Sequence, residues 1–104
     1  MTAYVEEFAS AARDQGGVIT QIPEGPCLRA TTVTPGGSFV EMGTDLLPNT
    51  RLVVISTDAD ALFMLRINGL DGPQEVLWAK SYRAIGIPQG NINRDAVMAF
   101  KTLP

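Results

Sequence analysis

The chain has 104 residues, of which 45% are hydrophobic and 18% are charged, and its formal net charge is −3 at pH 7. This length supports one domain with one core, and the apolar content excludes wholesale disorder. The eight basic residues are scattered singly along the chain, which argues against a nucleic-acid partner, because a nucleic-acid surface needs a basic patch or stripe.

Two residue types that carry much of enzyme chemistry are almost missing. The chain contains no histidine and a single cysteine, Cys27. Histidine is the commonest general base and metal ligand, and one cysteine can form no disulfide within the chain. We therefore predict that the protein is not an enzyme and has no catalytic residues, no metal site and no cofactor. Cys27 itself is expected to be a packed thiol at the start of a strand.

No stretch reaches the ~20 apolar residues of a membrane span. The N-terminus also lacks the basic start and apolar core of a secretory signal peptide. We therefore expect a chain made in a cytoplasm, without a membrane partner.

The N-terminal residues 1–17 are predicted as a separate helix or arm. Within them the segment Thr2–Gln15 is the one helix candidate. Its apolar residues follow the helical spacing i, i+3, i+4 and i+7: Val5, Phe8, Ala9 and Ala12. The residues at positions 2–8 also alternate in the manner of an extended segment. The helix is the favoured interpretation.

Residues 18–104 are predicted as the β-sandwich domain, because short β-like runs there are interrupted by Gly, Pro, Asn and Asp. About seven to eight short strands at this spacing are typical of a mainly β fold, an antiparallel β-sandwich or a jelly-roll-like barrel. The predicted strands are Val18–Ile22, Cys27–Thr34, Ser38–Met42, Arg51–Thr57, Ala61–Asn68, Val76–Ala79, Tyr82–Ile87 and Ala96–Thr102.

The segment Thr50–Gly69 is predicted as a central β-hairpin. Asp58 and Asp60 lie between its two apolar runs, and Asp favours turns because its side chain hydrogen-bonds the nearby backbone. The same pair could contribute to a Ca²⁺ site, but the other oxygen ligands of a calcium loop are missing. A turn with solvated carboxylates is the favoured interpretation.

Both runs of this segment have apolar residues on both of their faces. In a domain of this size the second face of a sheet normally meets water. Apolar residues on that face indicate a covering, either by a partner protein or by the N-terminal segment.

The aromatic residues Trp78, Tyr82, Phe63 and Phe100 could form a shelf for a sugar or a base, although core packing is the favoured interpretation. Trp78 is the aromatic residue most expected at a contact, because tryptophan is enriched among residues that anchor interfaces.

The segment TRLVVISTDADA (Thr50–Ala61) resembles part of small virion structural proteins of tailed bacteriophages. Three later pieces fit the same pattern: Leu65–Gly69, Ile87–Gly90 and Asp95–Ala99. The resemblance covers about half of the chain, and the turn over Gly69–Gln74 departs from it. It implies a phage structural protein with a sandwich or jelly-roll-like β domain.

Within that class, a capsid decoration (cement) protein is the favoured hypothesis, because the chain is short and has no long coiled coil. Such a protein would lie on the outer capsid surface of the virion and bridge capsomers as a homo-oligomer. Its partners would be the major capsid protein and copies of itself, and many symmetric copies would add avidity.

The predicted partner contacts are Tyr4, Val5, Phe8, Trp78 and Tyr82, with internal packing as the alternative for each. A neck, tail-completion or other virion component remains an alternative function. A small carbohydrate-binding β domain that uses Trp78 and Tyr82 is another.

Overall fold

A computed structural model of the chain describes residues 1–13, 21–87 and 95–103. These residues form strands and contain no helix, and the mainly β prediction is confirmed. The strands are β1 (Ala3–Phe8), β2 (Ser10–Arg13), β3 (Gln21–Glu24), β4 (Arg29–Val33), β5 (Val40–Glu41), β6 (Leu52–Thr57), β7 (Ala61–Ile67), β8 (Leu70–Asp71), β9 (Glu75–Leu77), β10 (Tyr82–Gly86) and β11 (Ala96–Thr102).

Two antiparallel sheets make up most of the described structure. The four-stranded sheet has the order β10-β6-β1-β4. The five-stranded sheet has the order β5-β11-β7-β8, and β9 also pairs with β7. Strands β2 and β3 form a separate two-stranded ribbon.

One hydrophobic cluster contains residues from both sheets. The four-stranded sheet contributes Ala3 and Val5 from β1 and Val53 and Ile55 from β6, all fully buried, whereas the five-stranded sheet contributes Phe63, Met98 and Phe100. Burial of each Val, Ile, Met or Phe side chain among them stabilises the fold by about 1.5–3 kcal/mol relative to an exposed one. The two sheets therefore share a core.

The predicted N-terminal helix is wrong. Residues 3–8 form β1, which lies between β4 and β6, so that Val5 is paired with Thr31 on one side and with Ile55 on the other. A lone short helix is only marginally stable in water, whereas β1 gains a ladder of hydrogen bonds on both edges and buries alternate side chains. Positions 14 and 15 of the predicted helix lie outside the described residues.

The predicted central hairpin is also wrong, because β6 and β7 belong to different sheets. The connection over residues 58–60 carries the chain from one sheet to the other. Each strand has an apolar face that must be buried, and placing the two strands in opposite sheets lets these faces share the core.

The tight hairpin of this region is formed by Asn68 and Gly69, which connect β7 to β8 and pair Ile67 with Leu70. Both turn residues have positive φ, 53° for Asn68 and 77° for Gly69. Two such residues are what a type I′ turn requires, and Asn-Gly is its preferred sequence.

Apart from Val18–Ile22, every predicted strand overlaps an observed one: β4, β5, β6, β7, β9, β10 and β11. In the predicted strand Val18–Ile22, residues 21 and 22 begin β3 and residues 18–20 lie outside the described residues. Strand β8 was not predicted, because its two residues fall inside a segment rich in turn formers.

Candidate functional site

The five predicted contact residues divide into a buried and an exposed group. Val5 has no exposed surface and Phe8 is 8% exposed, so both pack within the chain itself. Tyr4, Trp78 and Tyr82 are 44%, 60% and 75% exposed. Any surface that these five residues offer to a partner is therefore carried by the three exposed aromatic residues.

Tyr4 and Tyr82 lie on the outer face of the four-stranded sheet, the face away from the shared core. Residues directly opposite each other in antiparallel strands project to the same side of a sheet. Ser56 is opposite both tyrosines, on β6 between β1 and β10, and Thr32 is opposite Tyr4 on β4. One row across all four strands is therefore made of hydroxyl-bearing residues. We call it the hydroxyl row: Thr32, Tyr4, Ser56 and Tyr82.

The next row on the same face consists of Ala30, Glu6, Val54 and Ala84. We call it the second row. Three of its side chains are small or medium-sized and apolar, and Glu6 is the only charged residue of the eight residues in these two rows. Beyond it lie Phe8 and Leu52, which are buried, and the backbone of β3 runs close to β6 and β10. Among the paired residues of the four strands, the open part of this face therefore consists of the hydroxyl row and the second row.

Trp78 begins a turn that several hydrogen bonds hold in place. The backbone N–H of Ala79 donates to Asp60 Oδ1 at 2.8 Å, and the N–H of Lys80 donates to the Thr57 carbonyl at 3.0 Å. The hydroxyl of Ser81 donates to the Trp78 carbonyl at 2.6 Å. The exposed indole of Trp78 therefore extends from a turn whose backbone is held by hydrogen bonds. This turn lies beside the connection between β6 and β7.

The two aspartates of that connection serve as acceptors for backbone groups. Asp58 Oδ1 accepts a hydrogen bond from the N–H of Thr2 at 2.8 Å, which joins the connection to the start of β1. Asp60 joins it to the turn that follows Trp78. Among the described residues, no group of three or more Cys, Asp or Glu side chains is placed to hold a metal ion. We call each of these two contacts a clasp, because one aspartate side chain holds two backbone segments together by a hydrogen bond.

The second face of the five-stranded sheet is closed by side chains of this chain. Met64 and Ala99 on that face are 2% and 0% exposed. Arg66 of β7 reaches Glu41 of β5 at 2.7 Å and Asp71 of β8 at 2.7 Å. Since β11 lies between β5 and β7, the Arg66–Glu41 pair crosses it, and the two carboxylates raise the pKa of Arg66. Intramolecular packing accounts for the burial of Met64 and Ala99.

Sequence reasoning missed a buried polar cluster around Glu7. Glu7 has no exposed surface; it accepts hydrogen bonds from Arg29 Nε at 2.6 Å, the N–H of Leu47 at 2.7 Å and the Thr50 hydroxyl at 2.8 Å. This cluster ties the loop before β6 to the end of β1. The sequence signal was the alternation of Ala3, Val5 and Glu7, which places Glu7 on the core side of the strand.

The prediction that Cys27 is a packed thiol is wrong, because Cys27 is exposed. Its Sγ lies 3.2 Å from the carbonyl oxygen of Arg29, two residues further along. The strand begins only at Arg29, so that Cys27 precedes the sheet and stays outside the core. Phe63 and Phe100, in contrast, are core residues at 2% and 0% exposure, as expected for aromatic residues in a small β domain.

Within the described part of the chain there is no helix with the length and apolar character needed to cross a bilayer. A search of protein-family models found no match to the chain, and neither curated proteins nor solved structures gave one.

Proposed function

We propose that the protein is a virion structural protein of a tailed bacteriophage, a capsid decoration protein that binds the outer capsid surface and bridges capsomers. The resemblance over residues 50–103 supports this proposal, and a small mainly β domain is compatible with it. Its partners are the major capsid protein and further copies of the same chain. The net charge of −3 gives no support to a nucleic-acid or membrane partner.

The fold that goes with this proposal is a β-sandwich of jelly-roll-like type. The shared core supports it, as does a contact on one side of that core. There Arg83 of β10 lies 5.6 Å from the centroid of the Phe63 ring and 3.3 Å from Glu75 of β9. These contacts connect the edge of the four-stranded sheet with the five-stranded sheet. The crossing from β6 to β7 is a connection of the kind that two-sheet folds use.

The observation that carries the binding role is the exposure of Trp78 on a fixed turn. Tryptophan is among the residues that contribute most to protein interfaces. Holding the turn by hydrogen bonds lowers the conformational entropy that binding would otherwise cost. We propose Trp78 as the anchor that contacts the capsid, and the symmetric array of copies as the source of avidity.

The first test is the copy number of the chain in purified particles of the phage that encodes it, measured by quantitative mass spectrometry. We expect copies in proportion to the capsomers of the shell. Copies that match the rotational symmetry of the tail would replace this proposal with a neck or tail-completion component. Particles that contain none of the chain would overturn the virion role.

The second test adds purified protein back to particles that lack it. We expect Trp78→Ala to weaken rebinding about thirtyfold, as the loss of a hot spot of about 2 kcal/mol would. The matched control is Leu70→Ala, because Leu70 is 76% exposed on β8, away from the Trp78 turn. Equal rebinding by both variants would remove Trp78 from the interface.

A further inference from the structure

We propose that the open part of the outer face of the four-stranded sheet binds a neutral polysaccharide chain laid along the hydroxyl row. This site uses a different set of residues from the Trp78 anchor, and the inference does not depend on the virion role. The residues proposed to contact the glycan are Thr32, Tyr4, Ser56 and Tyr82.

The spacing of the row suits an extended sugar chain. Neighbouring strands are about 4.8 Å apart, so that Tyr4 and Tyr82, two strands apart, have their Cα atoms about 10 Å from each other. Between them stands only Ser56, a small half-buried side chain. The small side chain of Ser56 thus leaves a shallow depression between two exposed aromatic residues. A chain of sugar rings has room to lie flat on the sheet there.

The chemistry of the row also fits a sugar chain. Aromatic rings offer apolar faces against which the C–H groups of a pyranose can pack. Each of the four side chains carries a hydroxyl, which both donates and accepts hydrogen bonds as sugar hydroxyls do. The row therefore presents an apolar surface and polar partners at once.

The charge of the face selects among ligands. None of the eight residues in the hydroxyl row and the second row is basic, and Glu6 is the one carboxylate. Nucleic acids and acidic polysaccharides bind through cations, which these two rows lack. A neutral polymer has no such requirement, and Glu6 adds repulsion against an acidic one.

The size of the open face argues for a narrow ligand over a second copy of the chain. The two rows contain eight residues in all. A stable protein interface uses about 20–30 residues of each partner. An extended glycan one ring wide fits on eight residues, whereas a dimer formed through these two rows alone would be well below the usual size.

The test is retention of the purified protein by insoluble cellulose, chitin and starch, with soluble alginate as the acidic probe in affinity electrophoresis. We expect retention by at least one neutral polysaccharide and no shift with alginate. Tyr4→Ala and Tyr82→Ala should each weaken binding about tenfold, as the loss of one stacked ring would. Tyr82→Phe, which keeps the ring, should retain most of it.

The matched control is Trp78→Ala, which removes an exposed aromatic residue outside the two rows and should leave glycan binding unchanged. In the particle assay, in contrast, Trp78→Ala should weaken rebinding, because Trp78 is the proposed capsid anchor. The two proposals can therefore fail separately. Tyr82 is 75% exposed, so that its replacement should leave the thermal unfolding midpoint within a few degrees of the parent.

Three results would overturn the glycan site. The first is the absence of retention by all three neutral polysaccharides. The second is an equal loss of retention with Trp78→Ala, which would indicate general aromatic adhesion. The third is a dimer in analytical ultracentrifugation that Tyr82→Ala converts to a monomer, because the face would then be covered by a second copy.

Discussion

Glu7 is fully buried, and no other charged side chain is buried among residues 1–9, 25–87 and 95–103. An isolated buried carboxylate would be strongly unfavourable, but Glu7 has one cationic partner and two neutral donors. Arg29 is itself held by the carbonyl of Asp45, to which its Nη2 donates at 2.7 Å. The cluster thereby fixes the loop before β6, and through it the entry of the chain into the central pair of strands.

We predict that Glu7→Leu lowers the free energy of unfolding by about 2–4 kcal/mol, because it leaves Arg29, the Leu47 N–H and the Thr50 hydroxyl without their shared acceptor. Chemical denaturation measures this loss. Glu7→Gln is the control: it keeps the size and one acceptor oxygen, and should be destabilised less than Glu7→Leu. Equal stability of Glu7→Leu and the parent would show that the cluster contributes nothing net.

Gly72 is required by a close approach of two backbone segments. A Cβ atom at this position would lie 2.6 Å from the carbonyl oxygen of Leu65, the oxygen to which the Gly72 N–H donates at 2.9 Å. We predict that Gly72→Ala costs about 1–3 kcal/mol, because the backbone must move and the hydrogen bond weakens. Gly37→Ala is the matched control, since nothing lies within 4 Å of a Cβ there. Similar unfolding midpoints for the two variants would contradict this account.

At the scale of elements, the connection between β6 and β7 determines how the sheets and the Trp78 turn are joined. It carries two clasps, one from Asp58 to the start of β1 and one from Asp60 to the turn after Trp78. Both carboxylates are exposed, and each accepts a backbone donor. The clasps hold together three segments that are distant along the chain.

We predict that Asp60→Ala lowers the free energy of unfolding by about 1 kcal/mol, the net value of one hydrogen bond, and loosens the Trp78 turn. Asp60→Asn should behave like the parent, because its amide oxygen can accept the same N–H. Thermal unfolding measures the first effect and particle rebinding the second. Added Ca²⁺ should not shift the unfolding midpoint of the parent; a shift that Asp60→Ala abolishes would show that the pair binds the ion.

At the scale of the whole molecule, the position of β1 makes the N-terminus indispensable to the four-stranded sheet. Strand β4 is paired in that sheet only through β1, and β1 also contributes Ala3 and Val5 to the shared core. If the N-terminal residues were instead a detachable arm, they would lie on the surface of a neighbouring subunit, and their removal would leave the domain folded.

We therefore predict that a chain lacking residues 1–8 does not unfold cooperatively. Without β1 the four-stranded sheet is interrupted, and β4 loses the strand with which it pairs. Circular dichroism during heating measures this. Replacement of Tyr4 alone by Ala is the control, since Tyr4 is exposed on β1 and its loss leaves the ladder intact. A cooperative transition in the truncated chain, close to that of the parent, would show that the first strand is dispensable.

Much of the local structure could be predicted. The interrupting Gly, Pro, Asn and Asp residues locate β4, β6, β7, β10 and β11, since these residues break strands through their own backbone preferences. The Asn68-Gly69 pair is a local signal of a type I′ hairpin, and the structure places one there. The Asp58–Asp60 stretch suggested a hairpin, because its residues favour a turn. Turn-forming residues do not show, however, whether the two strands that they connect pair with each other.

The exposed surface was predictable only in part. Trp78 and Tyr82 were expected at a contact and are exposed, whereas Val5 and Phe8, predicted as contacts of the N-terminal segment, are buried. Exposure depends on which face of a strand meets the core. Because residues 3–8 were expected to form a helix, the core face of β1 was not assigned from the sequence. The burial of Glu7 follows from the same choice.

The sequence alone determined a mainly β chain and the positions of most of its strands, because strand formation and interruption depend on neighbouring residues. Only the tertiary structure decided that β1 lies between β4 and β6, that β6 and β7 belong to different sheets, and that Tyr4, Ser56 and Tyr82 share a row. These relations join residues far apart in the chain. Their physical basis is the burial of matching apolar faces and the register of non-local strand pairs, which no local pattern contains.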